Sequence, residues 1–182
     1  LHSYDYDKLP SHDISVRHAR ADEKFVTLDD EEQTLNANDI VVVSGDQPVA
    51  LAGTMGGQAT AVSENTTTVA LEAAIFDSVM VRKQARRLDL HSESSMRFER
   101  GINPATVETA LNEAAQLISQ LAGGTVTKGI VTGSEKPAES KDIELSLTKI
   151  NHVLGTNLKM EDVTSVFDQL AFPNKLTSND TV

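Results

Sequence analysis

Short apolar runs separated by turn residues dominate the first half of the chain, and wider helical spacings dominate the second. Ile14-Ser15-Val16-Arg17 alternates and predicts a strand. Phe25-Val26-Thr27-Leu28 predicts another, closed by an acidic turn at residues 29–32. Ile40-Val41-Val42-Val43 is a continuous β-branched run, the pattern of a strand buried on both faces. Val49-Ala50-Leu51-Ala52 follows after a Gly45-Asp46-Gln47-Pro48 turn, and residues 67–74 are strand-like again.

Residues 76–88 read as a helix that Asp77 or Ser78 can cap. Val107, Ala110, Leu111, Ala114, Ile118 and Leu121 then fall on one helical face, which predicts a core-facing stripe stopped by Gly123-Gly124. Residues 126–131 predict a strand, and the Gly, Ser, Pro and mixed charges of 133–141 predict a boundary. Beyond it, residues 143–147 read as a strand. Thr148 caps a short helix through Leu154, and Val163, Val166, Phe167 and Leu170 mark a second helix. The expected fold class is α+β: mixed β-sheets packed with helices, in a layered ββα-type module. A small helical domain that is cut off follows it. The domain limits on this reading are 1–136 and 137–182.

One stretch fits none of these patterns. Residues 92–104 carry three serines, two arginines and two glutamates around Met96, Phe98 and Ile102, and end in Asn103-Pro104, a helix-start signal. It reads either as a salt-bridged loop leading into a helix or as a binding surface.

Composition narrows the function classes. No run is apolar enough to span a bilayer, and no secretory signal pattern is present. The absence of cysteine removes thiolate nucleophiles, disulfides and Cys-based zinc sites, and is compatible with the cytoplasm. A net charge of −11 argues against a protein that coats nucleic acid. The basic residues are clustered, however: Arg82, Lys83, Arg86, Arg87, Arg97 and Arg100 lie within one short segment, which allows a local anion site.

Individual chemistry-bearing residues stay ambiguous on their own. His2 is either a hydrogen-bonded structural residue or a catalyst. Gly56-Gly57 matches neither the phosphate-binding loop nor the dinucleotide fingerprint, and a tight turn explains it as well as a site does. Glu72 lies in the most apolar part of its run. It either pairs with a downstream arginine or faces a pocket and accepts a hydrogen bond from a ligand. The basic face of 82–87 has a solvated surface as its ordinary meaning.

Order resolves more than any single motif. Leu1-His2-Ser3-Tyr4-Asp5, then Leu51-Ala52-Gly53-Thr54-Met55-Gly56-Gly57, then Leu71-Glu72-Ala73-Ala74, then the stretch from Ser92 to Gly101 occur in sequence. Together they resemble the central module of the bacterial phenylalanine–tRNA ligase beta subunit. Ile150-Asn151-His152-Val153-Leu154-Gly155 and Leu170-Ala171-Phe172 resemble the start of the small helical, DNA-binding-like domain that follows it. The resemblance covers essentially the whole chain, and the family module begins before residue 1.

The resemblance implies an α+β domain that hydrolyses tyrosine wrongly attached to phenylalanine tRNA. An apolar synthetic pocket rejects one added hydroxyl by only ~100-fold, so a second site that hydrogen-bonds that hydroxyl can select the error. By this resemblance Glu72 holds the tyrosine hydroxyl, His2 belongs to the editing site, and Gly56 leaves room for the amino acid. Gly57, Ser92 and Ser94 join the substrate-binding set, with Ser92 and Ser94 standing where relatives often have threonine and alanine. Catalysis falls to His2 and Glu72, which with backbone groups near Gly56 and Ser92 orient a water and the substrate; no Ser-His-Asp triad is needed. Arg82, Arg86 and Arg87 are the weaker candidates for contacting the tRNA end. The implied partners are phenylalanine tRNA and an alpha subunit, in an assembly of two alpha and two beta chains, with no membrane. ATP and magnesium serve the full synthetase, with no cofactor or metal in this chain. A non-catalytic module that docks tRNA and scaffolds the subunit is the alternative.

Overall fold

The computed structural model describes residues 1–133 and 142–182, so the boundary expected over 133–141 lies almost entirely outside the described residues. The chain divides into two compact units, Leu1–Lys136 and Pro137–Val182. The first is an α+β module of three antiparallel sheets and three helices.

Its centre is β5 (Ile40–Ser44), buried at every position. Successive side chains of a strand point to opposite faces, and here each face meets its own cluster. Ile40 and Val42 pack with Tyr4, Val81 and Phe98. Val41 and Val43 pack with Phe25, Leu35, Leu51 and Leu90. Burial of each such side chain stabilises the fold by about 1.5–3 kcal/mol. The four-stranded sheet runs in the order β2 (Ser15–His18), β5, β6 (Gln47–Leu51), β7 (Met55–Gly56). The turn between β5 and β6 is shorter than the sequence suggests, because Gln47 and Pro48 already belong to β6. Pro48 stands where the register shifts between Val42 and Val43, a place where its missing N–H is tolerated.

Two smaller sheets flank this one. β3 (Lys24–Val26) pairs with β4 (Glu32–Thr34), and β1 (His2–Asp5) pairs with β8 (Val69–Glu72). β1 is an element that the apolar pattern did not announce, since its residues are mostly polar or aromatic.

Helix α1 (Ser78–Arg87) starts at Asp77, whose carboxylate accepts from the Met80 N–H at 2.8 Å, and turns Val81, Gln84 and Ala85 inward. The polar stretch after it is a helix, α2 (Glu93–Phe98), rather than a loop. Ser92 caps it, the Ser92 and Ser95 side chains form a reciprocal capping box, and Phe98 enters the core. Arg97 pairs with Glu93 one turn away, not with Glu99. Asn103 caps the turn at Pro104–Thr106 as expected, and α3 (Val107–Ala122) ends at Gly123 in the left-handed conformation, φ +73°.

Two expectations fail in this region. No residue of α3 is buried, and Leu121 is 86% exposed, so its stripe is not core among the described residues. Periodicity reports a face fit for burial, and here β8 is the strand that packs against it. Residues 126–131 form no strand; they have no partner strand among the described residues.

The second unit holds α4 (Leu147–Leu154) and α5 (Met160–Gln169). Ser146, not Thr148, caps α4 by accepting from the Lys149 N–H at 3.1 Å. The strand expected over 143–147 reduces to an extended pairing of Leu145 with Val182 and a bridge from Ser146 to Thr181. Asn151 ties the turn after α4, its Oδ1 accepting from Thr156 Oγ1 and the Leu158 N–H.

Among the described residues no helix is long and apolar enough to cross a membrane.

Candidate functional site

The two faces of the β1–β8 ribbon decide what reaches the site. His2 and Tyr4 are two residues apart on β1 and therefore share a face. His2 is the direct cross-strand partner of Glu72, and Tyr4 is its diagonal neighbour. The His2 and Tyr4 rings meet edge to face with centroids 4.5 Å apart, and the Tyr4 hydroxyl donates to Glu72 Oε2 at 2.5 Å. Glu72 makes no ion pair with an arginine among the described residues. Its partner is a buried phenol instead.

These three side chains open onto a cavity of about 240 Å3. Phe76 and Phe98, with ring centroids 5.3 Å apart, form part of its apolar lining. Gly56 on β7 lies directly against the His2 ring at the edge of the cavity. A Cβ at Gly56 would lie 2.5 Å from His2 Nε2, so only glycine lets the imidazole sit there. Gly57 is not brought to the cavity. Its N–H bonds the Val49 carbonyl at 2.9 Å, and a Cβ would press on that oxygen and on the Phe25 ring, so packing explains this glycine.

Ser92 and Ser94 line the cavity through the loop that they hold. Ser92 Oγ donates to the Thr54 carbonyl at 2.6 Å, and Ser94 Oγ donates to the Gly53 carbonyl at 3.0 Å. Both hydroxyl protons are thus committed to the loop after β6. Gln84 holds the same loop from α1, donating to Thr54 Oγ1 at 3.1 Å while accepting from the Ile40 N–H at 2.7 Å. Among the described residues His2 bonds neither serine, and no Ser-His relay exists. His91, Ser92 and Glu93, adjacent in sequence, turn to Asp89, Thr54 and Arg97 respectively.

Burial sets the electrostatics. It lowers the His2 pKa from its ordinary 6.5 and so favours the neutral imidazole. Burial raises the Glu72 pKa from 4.5, against the opposing effect of the Tyr4 hydrogen bond. The Tyr4 hydroxyl is pushed up by its burial, by the Glu72 charge and by the hydrogen bond to it, and stays a donor. The site therefore presents a neutral base, a hydroxyl-accepting carboxylate and an apolar slot. No group of three or more His, Cys, Asp or Glu among the described residues is placed to hold a metal.

Arg82, Arg86 and Arg87 do not line this cavity. Arg82 and Arg86 are exposed on α1, whereas Arg87 donates to the Thr34 carbonyl at 3.2 Å and makes a short ion pair with Asp39, whose side chain is buried. Tyr4, Phe76 and Phe98, which line the cavity, and Gln84, which holds its loop, are neighbours that sequence reasoning missed. Only Tyr4 had a signal, its position two residues from His2 in an extended segment.

Residues 1–123 match the B3/4 domain family. The chain belongs to that family. This B3/4 domain is similar along nearly its whole length to phenylalanine–tRNA ligase beta subunits, as the ordered motifs imply. It is 52% identical over 172 residues to that of Streptococcus pneumoniae, covering 94% of this chain and 22% of that protein. The beta subunit of Lactiplantibacillus plantarum is 47% identical over 181 residues, covering 100% and 22%. That of Halalkalibacterium halodurans is 47% identical over 172 residues, covering 94% and 21%. The B3/4 chain thus spans about a fifth of the length of the curated relatives it matches.

Proposed function

We propose that this B3/4 chain carries the hydrolytic editing site of a phenylalanine–tRNA ligase and cleaves tyrosine from phenylalanine tRNA. The observation that carries the reading is a carboxyl group, Glu72, set in a mainly apolar slot beside His2. Phe76 and Phe98 suit an aromatic ring, and Glu72 accepts the hydroxyl that distinguishes tyrosine from phenylalanine. Phenylalanine in the same place leaves the carboxylate buried without a partner at that end, which costs about 1–3 kcal/mol.

In the reaction, a water held by the His2 imidazole attacks the ester carbonyl carbon. The bond to the ribose oxygen breaks, that oxygen takes one of the water's protons, and the other passes to solvent as tyrosine leaves as its carboxylate. The ester is already activated, so orientation of water and substrate supplies much of the acceleration. Gly56 keeps the space that the His2 ring occupies.

On this reading, residues 1–136 are the editing module and 137–182 begin the next domain. The partners are phenylalanine tRNA and an alpha subunit in a cytoplasmic assembly of two alpha and two beta chains, whose synthetic site uses ATP and magnesium elsewhere. Exposed Arg82 and Arg86 favour a supporting contact with the tRNA end. Deacylation of tyrosyl- and phenylalanyl-tRNA by the intact synthetase tests the proposal. Preferential loss of the tyrosyl ester supports it, and negligible hydrolysis of both leaves a scaffold that docks tRNA.

A further inference from the structure

Tyr4 is fully buried, packed in the cluster that contains Val42, Val81 and Phe98, with the edge of the His2 ring against it. A buried phenol requires a hydrogen-bond partner, and this one reaches past the cavity wall to Glu72 Oε2 at 2.5 Å. That distance is in the range of charge-assisted O–H···O⁻ bonds, which are roughly twice as strong as neutral ones. A carboxylate has two oxygens, each able to accept. Glu72 Oε1 has no hydrogen-bond partner among the described residues, while both oxygens belong to a side chain that lines the cavity.

We propose that Tyr4 is a positioning residue for tyrosine selection: its hydroxyl fixes Glu72 Oε2 and leaves Oε1 to accept the hydroxyl of the bound amino acid. The inference rests on the reading of Glu72 as the acceptor of that hydroxyl. A free glutamate has three rotatable side-chain bonds, and ordering it on ligand binding costs conformational entropy. Tyr4 meets that cost during folding, because its ring is immobilised by the core before any ligand arrives. The same bond favours the ionised carboxylate, opposing the stronger effect of burial, which favours protonation. The other titratable group facing Glu72 is His2, opposite it on β1, and among the described residues it donates no hydrogen bond to the carboxyl.

The test uses Tyr4→Phe, which keeps the ring and removes the donor, in the intact synthetase. Hydrolysis of tyrosyl- and phenylalanyl-tRNA is followed from pH 5 to 9 for the parent, Tyr4→Phe, Glu72→Ala and the double variant. Carboxyl titration of Glu72 is followed separately by isotope-edited infrared difference spectra in the parent and Tyr4→Phe. The expected result is an about tenfold loss of tyrosine preference in Tyr4→Phe, carried mainly by KM. The acidic limb of the selectivity profile moves to higher pH, the Glu72 carboxyl titrates at higher pH, and Tyr4→Phe has no further effect once Glu72 is alanine. An unmoved Glu72 titration with unchanged selectivity overturns the role of Tyr4. So does an equal effect of Tyr4→Phe with and without Glu72. A parent enzyme without tyrosine preference overturns the editing reading itself, and this inference with it, whatever the infrared titration reads.

Discussion

His2 and Glu72 stand directly opposite one another in the β1–β8 ladder, 70 positions apart in sequence and adjacent in register. One strand pairing thereby sets the neutral base and the hydroxyl acceptor side by side. A slip of β1 by one residue would turn His2 to the other face of the ribbon and part it from Glu72. The site's chemistry hence depends on the register of a short, otherwise weakly specified ribbon, and Tyr4 buried beneath it pins that register.

Replacing Gly56 by alanine drives a methyl group into the imidazole. Hydrolysis of tyrosyl-tRNA is expected to fall by at least about tenfold as the His2 ring swings aside, with little change in stability because the clash is with the far end of a side chain. Gly57→Ala meets the Val49 carbonyl and Phe25 instead. It is expected to cost stability without the selective loss of hydrolysis, once activity is compared at equal folded fraction by urea unfolding.

The pH response has two opposed parts. His2 takes its proton at lower pH in the folded chain than its unfolded 6.5, so the folded state loses stability as pH falls below 6.5 toward the folded value. Glu72 binds its proton at higher pH when folded than its unfolded 4.5, so its burial penalty is relieved as pH falls toward 4.5 and returns as pH rises through the folded value. Removing the imidazole in His2→Ala is expected to make the unfolding free energy less sensitive to acid below pH 6.5. Glu72→Gln is expected to remove the opposite slope. Denaturant unfolding at a series of pH values checks both, and equal slopes in all three proteins would contradict the assignment.

Gln84 joins β5, the loop after β6 and α1 through three hydrogen bonds, while being 1% exposed. Gln84→Leu leaves the buried Ile40 N–H and Thr54 hydroxyl without this partner. A loss of about 1–3 kcal/mol in urea unfolding is expected. Because the same loop carries the carbonyls that Ser92 and Ser94 bind, editing is expected to weaken as well.

The strands around β5 were legible because their apolar runs are intrinsic to a doubly buried strand, and α1 because Asp77 caps a periodic segment. The family was legible only through the order of the motifs. Composition alone left His2 and Glu72 ambiguous, since nothing local says that residues 2 and 72 pair. α2 was hidden because its six residues carry one buried large apolar side chain, Phe98, and its start is written in serines rather than in hydrophobic spacing. Arg87 looked free in sequence because Asp39, its partner, lies 48 positions away. The stripe of α3 was read correctly as a helix face but not as to what covers it, a matter that periodicity does not encode.

The three arginines separate on that basis. Arg87→Ala strands the Asp39 carboxylate, which is 2% exposed, and is expected to lower stability by about 1–2 kcal/mol, moderated by the partial exposure of Arg87. Arg82→Ala and Arg86→Ala are expected to leave stability within about 0.5 kcal/mol and to flatten the salt dependence of tRNA binding. Thermal unfolding and binding titrations at several salt concentrations distinguish the two behaviours.

The most direct measurement is deacylation of tyrosyl-tRNA and phenylalanyl-tRNA, both charged on phenylalanine tRNA, by the intact synthetase with and without Glu72→Ala. The account predicts that the parent prefers the tyrosyl ester and that the variant loses that preference by about 10- to 100-fold, the worth of a hydrogen bond to a charged acceptor. An unchanged preference in Glu72→Ala would contradict the role given to Glu72.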